Sequence, residues 1–238
     1  MQTEYDLKTP EMSLYTIILI ASISIPFLLS FDKKVQFYKH WKYLLPSVIA
    51  IALFYILGDI YFTKIGVWGF NSDYLSGLFL FNLPVEEWLF FIAIPYASIF
   101  LHDVLHAYFP NFRLPSNVSR RLTIFLFVIA LVVLLLNLDK AYTVYIMIVL
   151  LVVLAIAYFD WTDTISRFYC TFLVIFIPFV LVNGALTGAF TTNPVVWYDH
   201  AENLNIRLIT IPIEDFAYGF TMLLLAIMLR NRLKRTKG

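Results

Sequence analysis

Residues 82–91 read NLPVEEWLFF and residues 209–218 read ITIPIEDFAY. Both run proline, aliphatic residue, glutamate, second acid, aromatic. The acids are Glu86 and Glu87 in the first stretch, and Glu214 and Asp215 in the second. Apolar residues precede both prolines, and ionisable groups in such surroundings are functional candidates by default. Neither stretch has a Lys or Arg in its apolar run to act as countercharge. Carboxyls that are desolvated and close together resist losing all their protons. One can then act as an acid toward a weakly basic substrate while its neighbour acts as a base. Adjacent helical residues diverge by ~100°, so one acid of each pair faces a common centre and the other orients it. Phe90 and Phe91 follow the first pair by one turn, and Tyr218 the second. Their faces suit a carbocation, or plain core packing. Proline followed by acids is also an ordinary helix start, but its recurrence in matching places points further. Paired acids and aromatics without a GxGxxG motif fit acid-catalysed rearrangement of an alkene.

These groups need a scaffold that keeps them dry. The chain has 238 residues, 61% hydrophobic and 14% charged, with a mean hydropathy of +0.81. Soluble domains carry ~25% charge, so the class is an all-α, polytopic integral membrane protein. A net charge of +1 gives no reason to expect a nucleic-acid partner. The single cysteine, Cys170, excludes an intrachain disulfide. The acidic N-terminal stretch before a long first apolar run argues against a cleaved signal peptide. Apolar length predicts seven transmembrane helices, at 13–31, 44–62, 78–101, 122–138, 141–159, 168–190 and 208–229. Asp139 and Lys140 mark a tight turn between the fourth and fifth. Lys33, Lys34, Lys39, Lys42, Arg113, Arg120, Arg121, Arg167 and the basic C-terminal tail fall on one side. Only Lys8, Lys64, Lys140 and Arg207 fall on the other. The positive-inside rule then places the N-terminus outside the cell membrane and the C-terminus in the cytoplasm.

The doubled acidic motif invites a search for a repeat. Gly58-Asp59 falls near Asn183-Gly184, and Trp68 stands almost as far from Pro84 as Trp197 does from Pro212. The expected architecture is two parallel three-helix repeats, 13–110 and 141–232, joined by an extra helix in 111–140. The flanks are an extracytoplasmic tail, 1–12, and a cytoplasmic tail, 233–238. The extra helix restores the orientation of the second copy, so both motifs lie at similar depth and face each other across a pseudo-twofold axis.

Other chemistries fit less well. A retinal protein needs a lysine in the last span, and none is there. His102 and His106 stand at metal-ligand spacing, but a solvated helix end explains them better, and no metal is expected. Asp160 and Asp163 lack the second acidic cluster and the basic residues of a diphosphate-processing site. The rival from another class is a proton-coupled small-molecule transporter, which would also use acids deep in the membrane.

LPVEEWLFF, IPIEDFAYGF, the Trp68-Gly69-Phe70-Asn71 block and NGALTG together resemble the membrane-embedded lycopene cyclases, which occur as two small subunits or as one fused chain. The likeness extends over residues 10–232 and makes this the fused form. It implies redox-neutral ring closure at the linear end groups of lycopene, with β-carotene the expected product, by a lycopene β-cyclase of the isomerase (intramolecular lyase) type. It implies Glu86, Glu87, Glu214 and Asp215 as the essential acids, although Asp215 stands where the first copy has Glu87. On this reading Glu86 or Glu214 is the best candidate to protonate the terminal double bond, and a carboxylate later removes a ring proton. Phe90, Phe91, Tyr218, Trp68 and Trp197 would line the substrate; both tryptophans also suit interface anchoring. Asp59 and Asn183 would hydrogen-bond the acids, or cap helix ends. The expected partners are lycopene or a related linear carotenoid and membrane lipid, with no cofactor. The oligomeric state stays open.

Overall fold

The computed structural model of the chain describes residues 12–160 and 164–236. Asp163 and the first eleven residues, on which some of the expectations above fall, lie outside the described residues. The described residues form seven α-helices: α1 (Leu14–Leu29), α2 (Trp41–Ile65), α3 (Val85–Tyr108), α4 (Ser116–Leu136), α5 (Ala141–Tyr158), α6 (Thr164–Leu186) and α7 (Ile213–Thr236). α2 to α6 are long and apolar enough to cross a membrane. With 16 residues, α1 rises only about 24 Å, against a hydrocarbon core of ~30 Å. α7 begins on the acid pair and ends in Arg230, Arg232, Lys234 and Arg235, which lowers its mean hydropathy. Five apolar helices among the described residues thus point to a membrane protein.

The expected third and seventh spans begin later than apolar length suggested. The residues before α3 form a hairpin of β2 (Phe79–Leu80) and β3 (Leu83–Pro84), and those before α7 a hairpin of β5 (Arg207–Leu208) and β6 (Ile211–Pro212). Phe81 and Asn82 at the first turn have φ of 50° and 59°, and Ile209 at the second has 61°. Two-residue hairpin loops favour this left-handed backbone, which Asn adopts readily and a β-branched residue such as Ile does not. Pro84 and Pro212 end the hairpins, so each proline sits just before its helix rather than in its first turn. α2 ends at Gly66, whose φ of 82° lets its N–H cap the carbonyls of Phe62 and Thr63. The chain then enters β1 (Trp68–Phe70), which pairs antiparallel with β4 (Val196–Tyr198). This ribbon ties the loop after α2 to the loop after α6.

Helix contacts come in matching sets. α1 packs on α3 as α5 packs on α7, and α2 packs on α7 as α6 packs on α3. α4 packs mainly on α5 and buries little more than Ser119, Thr123 and Ala130. A larger apolar core runs through α2, α3, α5, α6 and α7, and a smaller one joins α1 to α3 around Tyr15 and Phe90. Where α3 and α7 end, Arg230 Nη1 donates to both oxygens of Asp103 at 2.9 Å, and His40 Nδ1 lies 3.1 Å from Oδ2. This buried pair fastens the ends of α3 and α7 that lie opposite the acids.

Candidate active site

Both acid pairs lie in the first turn of a helix, where unpaired amide N–H groups and the helix dipole favour negative charge. Helical spacing separates the two members of each pair. Glu86 and Glu214 turn back toward the preceding loops. Glu86 Oε1 accepts from Ser76 N at 2.6 Å, Ser13 Oγ at 2.8 Å and Thr16 Oγ1 at 3.5 Å. Glu214 Oε1 accepts from Leu204 N and Thr143 Oγ1, both at 2.7 Å. These two carboxyls pin a loop and a neighbouring helix to the start of α3 or α7. Neither lines the central cavity. Glu86 and Glu214, expected from the sequence to deliver the proton, are thus placed outside this cavity, each bonded to a loop and a neighbouring helix.

Glu87 and Asp215 point the other way, into one cavity of about 70 Å³. That is several times the ~10–15 Å³ one water requires. Tyr15 donates to Glu87 Oε2 at 2.6 Å. Tyr142 donates to Asp215 Oδ1 at 2.6 Å, and Tyr198 to Oδ2 at 2.9 Å. Burial and the Asp215 carboxylate push the Tyr198 phenol well above its ordinary pKa, so it stays protonated and keeps its place as a donor. Phe90, Phe91, Ile94, Phe179, Leu186, Met222 and Leu223 make most of the remaining wall apolar. Carboxyl groups held by phenol donors inside such a wall set oriented, electron-rich oxygens beside aromatic faces. That combination suits a short-lived hydrocarbon cation.

Of the supporting residues expected from the sequence, Phe90, Phe91, Tyr218, Trp68, Asp59 and Asn183 line this cavity. Asp59 hydrogen-bonds neither acid pair: its Oδ1 accepts from Trp68 Nε1 at 2.6 Å. Nor does the Asn183 side chain, whose amide donates to the Phe179 carbonyl at 3.2 Å. Trp68 is buried against Phe62 and Tyr142. Trp197 is the residue the structure sets apart. It is 43% exposed and lies outside the cavity, its indole over Gly69 in the space a Cβ there would fill. The strand register explains the mismatch: Trp68 pairs with Tyr198 and Gly69 with Trp197, so the two tryptophans do not occupy corresponding places. The two histidines at metal spacing have separate partners, His102 with Thr171 and His106 with Arg167.

Sequence reasoning missed the three tyrosines. A signal was there. Tyr15-Thr16 and Tyr142-Thr143 open the first helix of each half, and in both the tyrosine takes the second acid of a pair and the threonine the first. Both pairs lie one helix before the Gly58-Asp59 and Asn183-Gly184 positions that mark the repeat in the sequence.

The family profile described as lycopene cyclase matches residues 12–105 and 139–233. The chain belongs to the lycopene cyclase family. The match falls in two segments, as befits a fused form, and the stretch between them contains α4. Family membership supports carotenoid cyclisation as the activity. No curated protein and no solved structure matches the chain.

Proposed function

We propose that the chain closes the linear end groups of lycopene, or of a related linear carotenoid, to rings by an acid-catalysed, redox-neutral route, with β-carotene the expected product. One observation carries the reading: a single apolar cavity receives Glu87 from α3 and Asp215 from α7, each held by phenol donors and flanked by aromatic faces. A protonated carboxyl of the cavity gives its proton to the terminal double bond. The resulting tertiary cation is attacked by the neighbouring double bond, which closes a six-membered ring. Glu87 or Asp215 stabilises the cation and removes a ring proton, forming the ring double bond. Phe90, Phe91 and Tyr218 add aromatic faces, and the apolar wall excludes water that would trap the cation as an alcohol. Glu86 and Glu214 hold the two helix starts in register.

The matched helix contacts support two parallel three-helix repeats, 13–110 and 141–232, with α4 as the helix that restores orientation. On this view α1 and α7 also cross the cell membrane, the N-terminus is outside, and the basic end of α7 is cytoplasmic. The hydrocarbon substrate enters laterally from lipid.

The test is conversion by the purified protein in detergent, with lycopene as substrate and no ion gradient. Chromatography should show cyclic carotenoid accumulating with time. Unchanged lycopene would contradict the proposal and favour a gradient-driven transporter.

A further inference from the structure

A third carboxyl borders the same cavity. Asp59 is only 4% exposed and sits on α2, two turns before its end. Its Oδ1 is held by the Trp68 indole N–H at 2.6 Å, and Trp68 is fixed in turn by the β1–β4 ribbon and by Tyr142. Its Oδ2 is buried and has no hydrogen-bond partner among the described residues. Glu87 and Asp215 differ. Phenols supply one donor to the first and two to the second, the arrangement a negative carboxylate needs. An uncharged carboxylic acid needs something else: a donor on its carbonyl oxygen and space for its O–H. Asp59 has both. An unpartnered buried oxygen is costly on a carboxylate and natural on an acid whose proton faces a cavity.

We infer that Asp59 delivers the proton that starts ring closure, while Glu87 and Asp215 act as the carboxylates that hold the cation and take the ring proton. This rests on the cyclase reading of the cavity. Glu86 and Glu214 also have one unpartnered buried oxygen each. Their other oxygens, however, take a backbone N–H and a hydroxyl, and neither group reaches the cavity. Asn183, the polar residue contributed by α6, has no acidic proton to give, and its amide donates to the Phe179 carbonyl. The phenol of Tyr218, also in the cavity wall and also unpartnered, is a polar neighbour for the end group.

The step balances. The Asp59 O–H bond breaks as a C–H bond forms at the alkene, leaving a tertiary cation. A C–C bond then closes the ring at the expense of the neighbouring double bond. Glu87 or Asp215 takes a ring proton, and the electrons of that C–H bond become the ring double bond. Between turnovers the base loses its proton to solvent and Asp59 regains one. No electrons are gained or lost.

The test uses infrared spectra and turnover of the full chain in detergent. Asp59→Asn keeps an oxygen for the Trp68 indole but has no proton to give. It should lose a protonated-carboxyl C=O band that Glu87→Gln and Asp215→Asn retain. It should also lower cyclisation by at least ~100-fold, the scale of general acid catalysis, while lycopene still binds. Asp59→Glu should restore part of the rate. Asp59→Asn turnover within threefold of wild type, or persistence of that band, would overturn the assignment. A wild-type protein that leaves lycopene unchanged would remove the cyclase reading itself and this inference with it.

Discussion

The phenol donors offer the sharpest test of how the cavity works, because the two central carboxylates are served unequally. Glu87 has one phenol donor, Tyr15 at 2.6 Å, while Asp215 has two, Tyr142 at 2.6 Å and Tyr198 at 2.9 Å. A hydrogen bond to a charged group contributes ~1.5–3 kcal/mol. If that energy holds the carboxylate in place in the transition state, its loss slows kcat/KM by ~10–150-fold, at ~1.4 kcal/mol per factor of ten. Tyr15→Phe strips Glu87 of its phenol and should fall well inside that range. Tyr142→Phe leaves Tyr198 on Asp215 and should fall near the bottom of it. Tyr142→Phe combined with Tyr198→Phe should cost more than the two single changes added together, by ~0.5–3 kcal/mol, because the second removal leaves the carboxylate without a phenol. The assay is the initial rate of cyclic carotenoid formation in detergent, with thermal unfolding run beside it to separate activity from folding. Rates within twofold of wild type for all four variants would refute the argument that these phenols support the chemistry.

Division of labour within each acid pair predicts two kinds of variant. Glu87→Gln and Asp215→Asn should lose turnover and keep their thermal unfolding midpoints. Glu86→Gln and Glu214→Gln should lower the midpoint by unpinning the loops at Ser76 and Leu204. Gly219 lies at the cavity wall, where a Cβ would stand 2.8 Å from Cε2 of Phe179. Gly219→Ala should therefore displace that ring and raise KM for lycopene more than it lowers kcat. Far from the cavity, Arg230→Met leaves Asp103 buried without its main partner. It should destabilise the fold by ~3–5 kcal/mol in an unfolding titration, and Asp103→Asn in the same chain should return part of the loss.

Hydropathy alone located the helices well, because a long apolar run has few alternatives in a membrane. It failed where apolar residues do not mean helix. Leu78 to Phe81 and Leu208 to Ile209 read as span starts, yet they form exposed apolar hairpins. Composition reports affinity for lipid and not backbone path. The two acidic motifs were legible because proline and acid spacing is local. Their division into anchors and cavity groups was not, since Ser13, Ser76, Thr143 and Leu204 decide it through contacts that no local pattern encodes. Tyr15 and Tyr142 lie more than seventy residues before their acids and were lost for the same reason. Pairing Trp68 with Trp197 followed residue type, whereas the strands pair Gly69 with Trp197. The unlike residue in that pair is needed, because the Trp197 ring occupies the space above Gly69.

The central claim is that ring closure begins with a proton and involves no net redox change, and isotope labelling tests it most directly. The carbon that receives the proton is not the carbon that loses one, so label taken from solvent stays in the product. When the purified protein acts on unlabelled lycopene in D2O, mass spectrometry should find one deuterium for each ring closed. Cyclic product free of deuterium would contradict the account.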